Sequence, residues 1–271
     1  MTIDFDQFRC TGGDFSLRDM PTDFDGGMNN DDLKDACQEV WKEVDEWHER
    51  LYAESKQSLL IVFQAMDAAG KDSSIGKLTS ALSAHGCYVK AFKKPSTLEL
   101  SHDFLWRVHQ AAPSAGHLAL FNRSHYEDVL VVKVHGWEDD EIIERRYDHI
   151  NNFERLLADR GTRVVKFMLN ISKDYQLERF KSRLENSEKH WKFNPGDLFE
   201  REHWDDYMSA FETAIQRCAS KESPWYIVPA QNRTFRDLMV ASVIRDTLRD
   251  MNPQYPAPDF DPTEYTVDSI S

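Results

Sequence analysis

The apolar stretch Leu59-Leu60-Ile61-Val62-Phe63 runs directly into Gln64-Ala65-Met66-Asp67-Ala68-Ala69-Gly70-Lys71-Asp72-Ser73-Ser74-Ile75, and helical periodicity follows from about Lys71. A strand, a loop of small residues and a helix, in this order, form the context in which the phosphate loop G-x-x-x-x-G-K-[ST] works. Small residues let backbone N–H groups turn inward around a phosphate, and the helix N-terminus adds its dipole and unpaired donors. The residues predicted to contact phosphate are Ala68, Ala69, Gly70, Lys71, Asp72, Ser73, Ser74 and, further along the helix, Lys77.

The loop departs from the motif at two positions. Ala65 stands where the first glycine belongs, and Asp72 stands where serine or threonine belongs. The alternative interpretation is a strand-to-helix turn with an exposed lysine. Asp67 favours the functional interpretation, because a carboxylate inside a phosphate loop repels phosphate unless a cation lies between them. We therefore expect Asp67 to bind a metal ion; the alternative is a loop residue that bonds its own backbone.

Four further apolar runs follow, each separated from the next by enough chain for one helix. They are Tyr88–Phe92, His117–Phe121, Arg163–Leu169 and Trp225–Val228. Near-continuous apolar strands that alternate with helices are typical of a parallel sheet covered on both faces. The predicted fold is therefore α/β, a three-layer fold with a five-stranded parallel sheet and helices on both faces.

The chain divides into three parts by composition. Residues 1–30 are rich in Asp, Gly and Asn and predict an irregular acidic arm. Residues 31–250 predict the kinase domain, which begins with a helix over 31–55 and has its lid at about 173–205, where charge and tryptophan are dense and no strand is expected. Residues 251–271 predict a C-terminal tail with four prolines.

Charge and cysteine usage restrict the class of protein. The net charge is −14, of which residues 1–32 carry −6 and residues 246–271 carry −5. This balance argues against a nucleic-acid partner, although it permits a local basic site. No apolar run approaches the roughly 18 residues of a membrane helix, so no membrane partner is expected. The four cysteines are far apart and no signal peptide is visible, so we expect a reduced, cytoplasmic protein.

A polar cluster follows the third predicted strand. Ligands of open parallel sheets bind at the carboxyl ends of strands, and this end lies next to the phosphate loop in the usual strand order. Asn122 stands where such strands usually end in a Mg²⁺-binding aspartate, so it is at most a weak metal ligand. Arg123 is predicted to touch phosphate, with a surface ion pair as the alternative. Glu127 and Asp128 are candidates for metal or acceptor contacts, or else caps of the next helix.

A basic run occupies the position of a kinase lid. Residues 179–192 hold five cations (Arg179, Lys181, Arg183, Lys189, Lys192) against two carboxylates in an otherwise acidic chain. Arg179 and Arg183 share a helix face. Lid cations close over a transferred phosphoryl group; the alternative is a solvated surface. Trp191, Trp204, Tyr207 and Phe211 are expected in the core of the lid helices.

Several other classes are disfavoured. The histidines show no metal-ligand spacing and have no cysteine partners, which argues against a zinc site. There is no G-x-S-x-G motif and no paired-cysteine redox motif. Asn232-Arg233 does not extend into the guanine-reading N-K-x-D pattern, so a switch GTPase is not expected.

Five motifs in the same order along the chain resemble those of the polyphosphate kinase 2 family. They are Phe63–Asp72, Asp103–His109, Phe121–Asp128, Lys189–Phe193 and Ser223–Tyr226. The resemblance runs from about residue 30 to 250. It implies transfer of phosphate between inorganic polyphosphate and nucleotides with Mg²⁺ (Mn²⁺ as an alternative ion), on a P-loop kinase core with a helical lid. It also implies a homo-oligomer, a dimer or tetramer.

The resemblance assigns roles to individual residues. The implied catalytic residues are Asp67, Lys71, Arg123 and Arg183, with Asp67 as the metal ligand. The implied polyphosphate path comprises Arg179, Lys181, Arg183, Lys189 and Lys192. The implied nucleotide contacts are Arg107, Asn122, Arg123, Tyr126, Glu127 and Asp128. Asn122 and Glu127 are similar to the subgroup, class III, that accepts both AMP and ADP, so adenine nucleotides are the expected acceptors and other nucleotides further candidates. Asn186-Ser187 replaces the Asp-Pro of many members, which concerns the lid turn more than the chemistry.

Two other functions share these features. An ATP-dependent nucleoside or nucleotide monophosphate kinase of the thymidylate-kinase type would have the same loop, sheet and lid, but would use ATP as donor. A non-catalytic polyphosphate- or nucleotide-binding protein is favoured by Ala65 and Asn122. Replacing Asp67 by Asn distinguishes them, because a binding protein should tolerate the change and an enzyme should lose most of its turnover.

Overall fold

Residues 3–265 are described by the computed structural model, and within them the strands form one six-stranded sheet. Residues 1–2 of the predicted arm and 266–271 of the predicted tail lie outside this part. The strands are β1 (Arg9–Cys10), β2 (Ser58–Ala65), β3 (Cys87–Ala91), β4 (Leu118–Asn122), β5 (Thr162–Asn170) and β6 (Trp225–Pro229). Their order is β1-β6-β5-β2-β4-β3.

The five predicted strands are confirmed as β2 to β6, and all four pairings among them are parallel. The predicted number of five is wrong, and so is an all-parallel sheet. β1 adds to the free edge of β6 in antiparallel register, with Arg9 opposite Tyr226 and Cys10 opposite Trp225. A strand of two residues is too short to show an alternation of apolar and polar residues, so the sequence does not predict it. It covers backbone groups that an open edge would expose.

Helices cover both faces of this sheet. The longer ones are α1 (Asn30–Glu54), α2 (Lys71–Ala81), α6 (Asp140–Asp159), α7 (Lys173–Glu185), α9 (Trp204–Cys218) and α10 (Arg233–Met251). Shorter ones are α3 (Thr97–Leu100), α4 (Trp106–His109), α5 (Val131–Val134) and α8 (Gly196–Glu202). Helices α1, α2 and α10 pack together, and α6 packs with α9. No described helix is both long and apolar enough to cross a bilayer.

The N-terminal arm packs against α10 and α9. Phe8 and Phe24 lie edge-on to Phe235, with ring centroids 6.1 and 5.0 Å away. The amide of Leu17 donates to the carboxylate of Glu212 at 2.7 Å. The segment predicted to be irregular therefore contributes side chains to the core as well as a strand to the sheet.

The chain between β5 and β6 forms the predicted helical insertion. It consists of α7, a 3₁₀ turn over Ser187–Lys192, α8 and α9. Trp204, Tyr207 and Phe211 are buried, as expected of core residues. The expectation is wrong for Trp191, which is 78% exposed because it lies on the outer 3₁₀ turn, with the ammonium of Lys192 4.9 Å from its ring.

Candidate active site

The loop between β2 and α2 turns sharply through two residues with left-handed backbone. Ala68 has φ of 67° and Gly70 has φ of 108°. An ideal Cβ on Gly70 would lie 2.2 Å from Nη1 of Arg236. Glycine is therefore required at position 70 both by the backbone conformation and by the guanidinium beside it.

Lys71, the first residue of α2, reaches back across this loop. Its Nζ donates to the carbonyl oxygens of Ala65 at 2.8 Å and Met66 at 3.3 Å. Burial lowers the pKa of Lys71, and the neighbouring carboxylate of Asp67 opposes that shift. The ammonium thus lies at the base of the loop, where two backbone carbonyl oxygens hold it.

Arg123 links the loop to the end of β4. Its Nη2 lies 2.9 Å from Oδ1 of Asp67, and its Nη1 lies 3.4 Å from Oε2 of Glu127. Glu127 and Asp67 raise the pKa of Arg123 above its usual range, although burial opposes this shift. Its backbone is also left-handed, with φ of 60°. One permanently charged guanidinium therefore lies between two carboxylates.

A cavity of about 430 Å³, here called the loop cavity, opens on one side of Asp67. Seven cations and three carboxylates are among its lining residues. The cations are Lys71, Arg179, Arg183, Lys189, Lys192, Arg233 and Arg236. Burial and the nearby Arg233 and Arg183 lower the pKa of Arg179. This excess of cations suits a polyanion.

A second cavity, of about 530 Å³ and here called the turn cavity, lies on the other side of Arg123. Its lining combines charged and apolar residues. The charged ones are Lys93, Lys94, Arg107, Arg123, Arg146, Glu127, Asp128 and Glu138, and the apolar ones are Phe92, Pro95, Leu100, Val131, Val132 and Trp137. A smaller cavity of about 230 Å³ shares Asp67 with the loop cavity and Arg123 and Glu127 with the turn cavity. The Asp67–Arg123 pair therefore lies where the spaces meet.

Asp128 and two arginines shape the turn cavity. Oδ2 of Asp128 lies 3.7 Å from Nη2 of Arg107, and the Asp128 carbonyl oxygen accepts from Nη1 of Arg146 at 2.9 Å. Burial raises the pKa of Asp128 to about 6, although both guanidiniums favour the ionised form. Arg107 also donates to the carbonyl oxygen of Lys93 at 2.8 Å.

Asn122 contacts the phosphate loop directly. Its Nδ2 donates to Oδ1 of Asp72 at 2.7 Å. In the usual motifs, the loop carries serine or threonine at this position and the neighbouring strand ends in aspartate. Here the loop carries the carboxylate of Asp72, and the strand ends in the neutral Asn122. Asp72 and Asn122, which depart from these motifs at distant positions of the sequence, therefore contact each other in the fold.

Five residues predicted to contact phosphate or nucleotide line none of these cavities: Ser74, Lys77, Asn122, Tyr126 and Lys181. Lys77 and Lys181 are exposed and line none of them. Lys77 lies too far along α2, and Lys181 lies on the face of α7 opposite Arg179 and Arg183. Ser74 is 1% exposed beneath the loop, and Tyr126 is fully buried with its hydroxyl directed at Glu154. The structure therefore does not bring these side chains to the lining of the cavities.

Two cations of the loop cavity were missed. Arg233 and Arg236 lie in the first turn of α10, directly after β6. Their position directly after β6 could have indicated a place at the site, because the carboxyl ends of all parallel strands meet at the edge where the phosphate loop lies. Arg236 is 2% exposed and its guanidinium lies 2.8 Å from Oδ1 of Asp237.

The residues present fit a metal ion that is held mainly by its substrates. Among residues 3–265 there is no group of three or more His, Cys, Asp or Glu side chains placed to hold a metal. Mg²⁺ is commonly bound through one or two carboxylates, substrate phosphates and water. Asp67, at the meeting point of the cavities, is a carboxylate of this kind.

Comparison with known proteins gives a consistent result. A family model described as Polyphosphate kinase 2 matches residues 27–256. A protein of Meiothermus ruber named AMP/ADP-polyphosphate phosphotransferase is 42% identical over 251 residues, covering 91% of this chain and 93% of that protein. An ADP-polyphosphate phosphotransferase of Rhodopseudomonas palustris is 43% identical over 76% of this chain and 75% of its own length.

A solved structure supports the same relationship. The crystal structure of Polyphosphate Kinase 2 from Arthrobacter aurescens TC1 superposes with a TM-score of 0.93 at 39% identity, covering 97% of this chain and 95% of that one. Sequence, motif order and fold therefore agree over nearly the whole chain. The chain belongs to the polyphosphate kinase 2 family.

Proposed function

We propose that this protein transfers the terminal phosphoryl group of inorganic polyphosphate to ADP and AMP, forming ATP and ADP. The observation that carries the proposal is the position of the Asp67–Arg123 pair, 2.9 Å apart, between a cation-rich cavity and a partly apolar one. Phosphoryl transfer requires two anionic substrates to be held in line while their repulsion is neutralised. This arrangement supplies a separate space for each.

The loop cavity is the proposed donor site. Its cations come from the loop, from the lid segment and from α10, and so extend well beyond the phosphate loop itself. A donor with a short phosphate chain would not need such a path, whereas polyphosphate would. Lys71, Arg179, Arg183, Lys189 and Lys192 keep their predicted role here, and Arg233 and Arg236 join them.

The turn cavity is the proposed acceptor site. Arg107 and Arg123 would contact the phosphates of the nucleotide, and Trp137 with its apolar neighbours would contact the base. Trp137 is 65% exposed, and its ring stacks on His135 with the ring centroids 5.0 Å apart. The M. ruber and R. palustris relatives, named for AMP/ADP and for ADP, support adenine nucleotides as acceptors.

Magnesium is the proposed metal, held by Asp67 and by substrate phosphates, with Mn²⁺ as an alternative. When bound, it supplies positive charge against phosphate oxygens. Asn122 could add only its carbonyl oxygen, because its amide nitrogen already donates to Asp72.

The chemistry needs no covalent enzyme intermediate. An oxygen of the nucleotide's terminal phosphate attacks the terminal phosphorus of polyphosphate, and the bond from that phosphorus to the next bridging oxygen breaks. The products are a nucleotide longer by one phosphate and a chain shorter by one. Lys71, Arg123 and Arg183 balance the charge of the transferred group, and closure of the lid, about 173–205, excludes water.

We further propose a cytoplasmic homo-oligomer, a dimer or tetramer.

The test is ATP formation by the purified protein with Mg²⁺, long-chain polyphosphate and either ADP or AMP. We expect product from both acceptors, and loss of most turnover in Asp67→Asn. An Asp67→Asn sample purified in the same way also controls for contaminating adenylate kinase. ATP from ADP alone would overturn the use of AMP. Transfer from ATP to a nucleoside or monophosphate, with no response to polyphosphate, would establish an ordinary nucleotide kinase instead.

A further inference from the structure

A buried carboxylate lies behind the turn that follows Arg123. Glu154, on α6, is 3% exposed, and its Oε2 lies 2.6 Å from Nζ of the fully buried Lys166 on β5. The hydroxyl of Ser223 donates to the same oxygen. Burial disfavours the charged form, but Lys166 and His125 outweigh it and lower the pKa of Glu154 to about 2. The Glu154 carboxyl is therefore ionised at neutral pH and lies against the Lys166 amino group.

Two residues of the 3₁₀ turn His125–Asp128 point at this carboxylate. The hydroxyl of Tyr126 donates to Oε1 of Glu154 at 2.8 Å and accepts from Nζ of Lys166 at 3.0 Å. Nε2 of His125 lies 3.3 Å from the same Oε1. Both side chains are fully buried. The back of the turn is thus attached to an ion pair in the core.

The front of the same turn faces the cavities through Arg123 and Glu127. The left-handed backbone of Arg123 costs about 1 kcal/mol or more for a residue with a Cβ, and it persists only where its surroundings hold both flanks. On one flank, the Arg123 amide donates to the carbonyl oxygen of Phe63 at 3.0 Å. On the other, Ser124 Oγ accepts from the Tyr126 amide at 3.1 Å. Tyr126 thus connects Arg123 to the buried pair.

The same ammonium also contacts the end of α9, the last helix of the insertion between β5 and β6. Nζ of Lys166 donates to the carbonyl oxygen of Cys218 at 2.7 Å, and Cys218 is the last residue of α9. The helix that returns from the lid and the turn that carries the active-site arginine therefore share one anchor.

We propose that Glu154, Lys166 and Tyr126 are positioning residues, which hold Arg123 and Glu127 in the geometry that phosphoryl transfer requires. None of the three lines a cavity of the site, so each acts through the turn. This inference rests on the proposed function.

The test compares two tyrosines that differ in hydrogen bonding. Tyr126→Phe removes the hydroxyl that bridges Glu154 and Lys166. Tyr147→Phe is the matched control, because Tyr147 is equally buried, lies two turns before Glu154 on α6, and its hydroxyl has no hydrogen-bond partner in the described part of the chain. We expect Tyr126→Phe to lower kcat roughly tenfold with the KM of the nucleotide changed less than about twofold, and Tyr147→Phe to leave kcat within about twofold.

A double-mutant cycle separates positioning from stability. If Tyr126 acts through Arg123, then Tyr126→Phe will lower kcat much less in an Arg123→Ala background than in the wild type. Equal losses in both backgrounds, or equal losses from the two tyrosine variants, would overturn the inference. If Tyr126→Phe does not fold, Ser223→Ala removes one hydrogen bond to Glu154 and takes its place in the cycle. Absence of polyphosphate-dependent activity in the wild type would instead contradict the proposed function.

Discussion

Arg183 and Lys181 lie two positions apart on α7 and have different surroundings. Arg183 lines the loop cavity, where it contacts Asp197 at 3.3 Å and the carbonyl oxygen of Lys192 at 2.9 Å. Lys181 is exposed and outside it. We expect Arg183→Ala to lower kcat by roughly 10- to 100-fold, more than it weakens nucleotide binding, because in the proposed mechanism its charge acts on the transferred group. Lys181→Ala, measured alongside by ATP formation, should stay near the wild-type rate; equal losses would contradict the assignment.

Asp128 predicts a pH-dependent difference in stability. Burial raises its pKa from the usual 3.8 to about 6, so the folded protein binds this proton more tightly than the unfolded chain does. This carboxyl therefore destabilises the fold increasingly as pH rises from about 4 to 6, and fully above that. We expect Asp128→Asn to gain stability over the wild type across that interval, in urea unfolding at several pH values. Exposed Asp35→Asn is the control, and a gain independent of pH would refute the explanation.

At the scale of elements, the start of α2 and the start of α10 are packed against each other through Gly70 and Arg236. Gly70→Ala would place a Cβ 2.2 Å from the Arg236 guanidinium in a left-handed conformation, which alone costs about 1–2 kcal/mol. We expect a lower free energy of unfolding and a loss of activity. Gly76→Ala is the control: it lies within α2 with nothing near its Cβ, and it should stabilise the protein by about 1 kcal/mol. Similar effects of the two substitutions would contradict this contact.

The elements that sequence reasoning found are those with a strong local signal. The five parallel strands are buried on both sides and so appear as apolar runs, and the phosphate loop is marked by its small residues before Lys71. β1 and the arginines of α10 could not be found in that way, because their roles depend on chain segments far away. The inward direction of the Tyr126 side chain is not visible in the sequence for a related reason: its motif fixes the turn, but the residue that its hydroxyl bonds is Glu154, on another helix.

For the whole molecule, the N-terminal arm is part of the core rather than an appendage. Phe8 is 2% exposed and packs against Phe235, which lies between Arg233 and Arg236 in the first turn of α10. We expect Phe8→Ala to lower the free energy of unfolding by about 3–5 kcal/mol, as for other buried phenylalanines. Phe260→Ala, at a ring that is 53% exposed, should have little effect. Chemical denaturation of both variants decides between a docked arm and a loose one.

The antiparallel strand β1 also determines when the sheet can be completed. Arg9 pairs with Tyr226, so β1, the first strand to be synthesised, can pair only after β6, the last strand, has been synthesised. At a synthesis rate of roughly 5–20 residues per second, that wait is on the order of tens of seconds. During this time the arm emerges from the ribosome without its partner, and its net charge of −6 over residues 1–32 keeps it solvated. The acidity of the N-terminal arm, which packs on the core in the folded protein, thus suits the period during synthesis in which the arm has no partner.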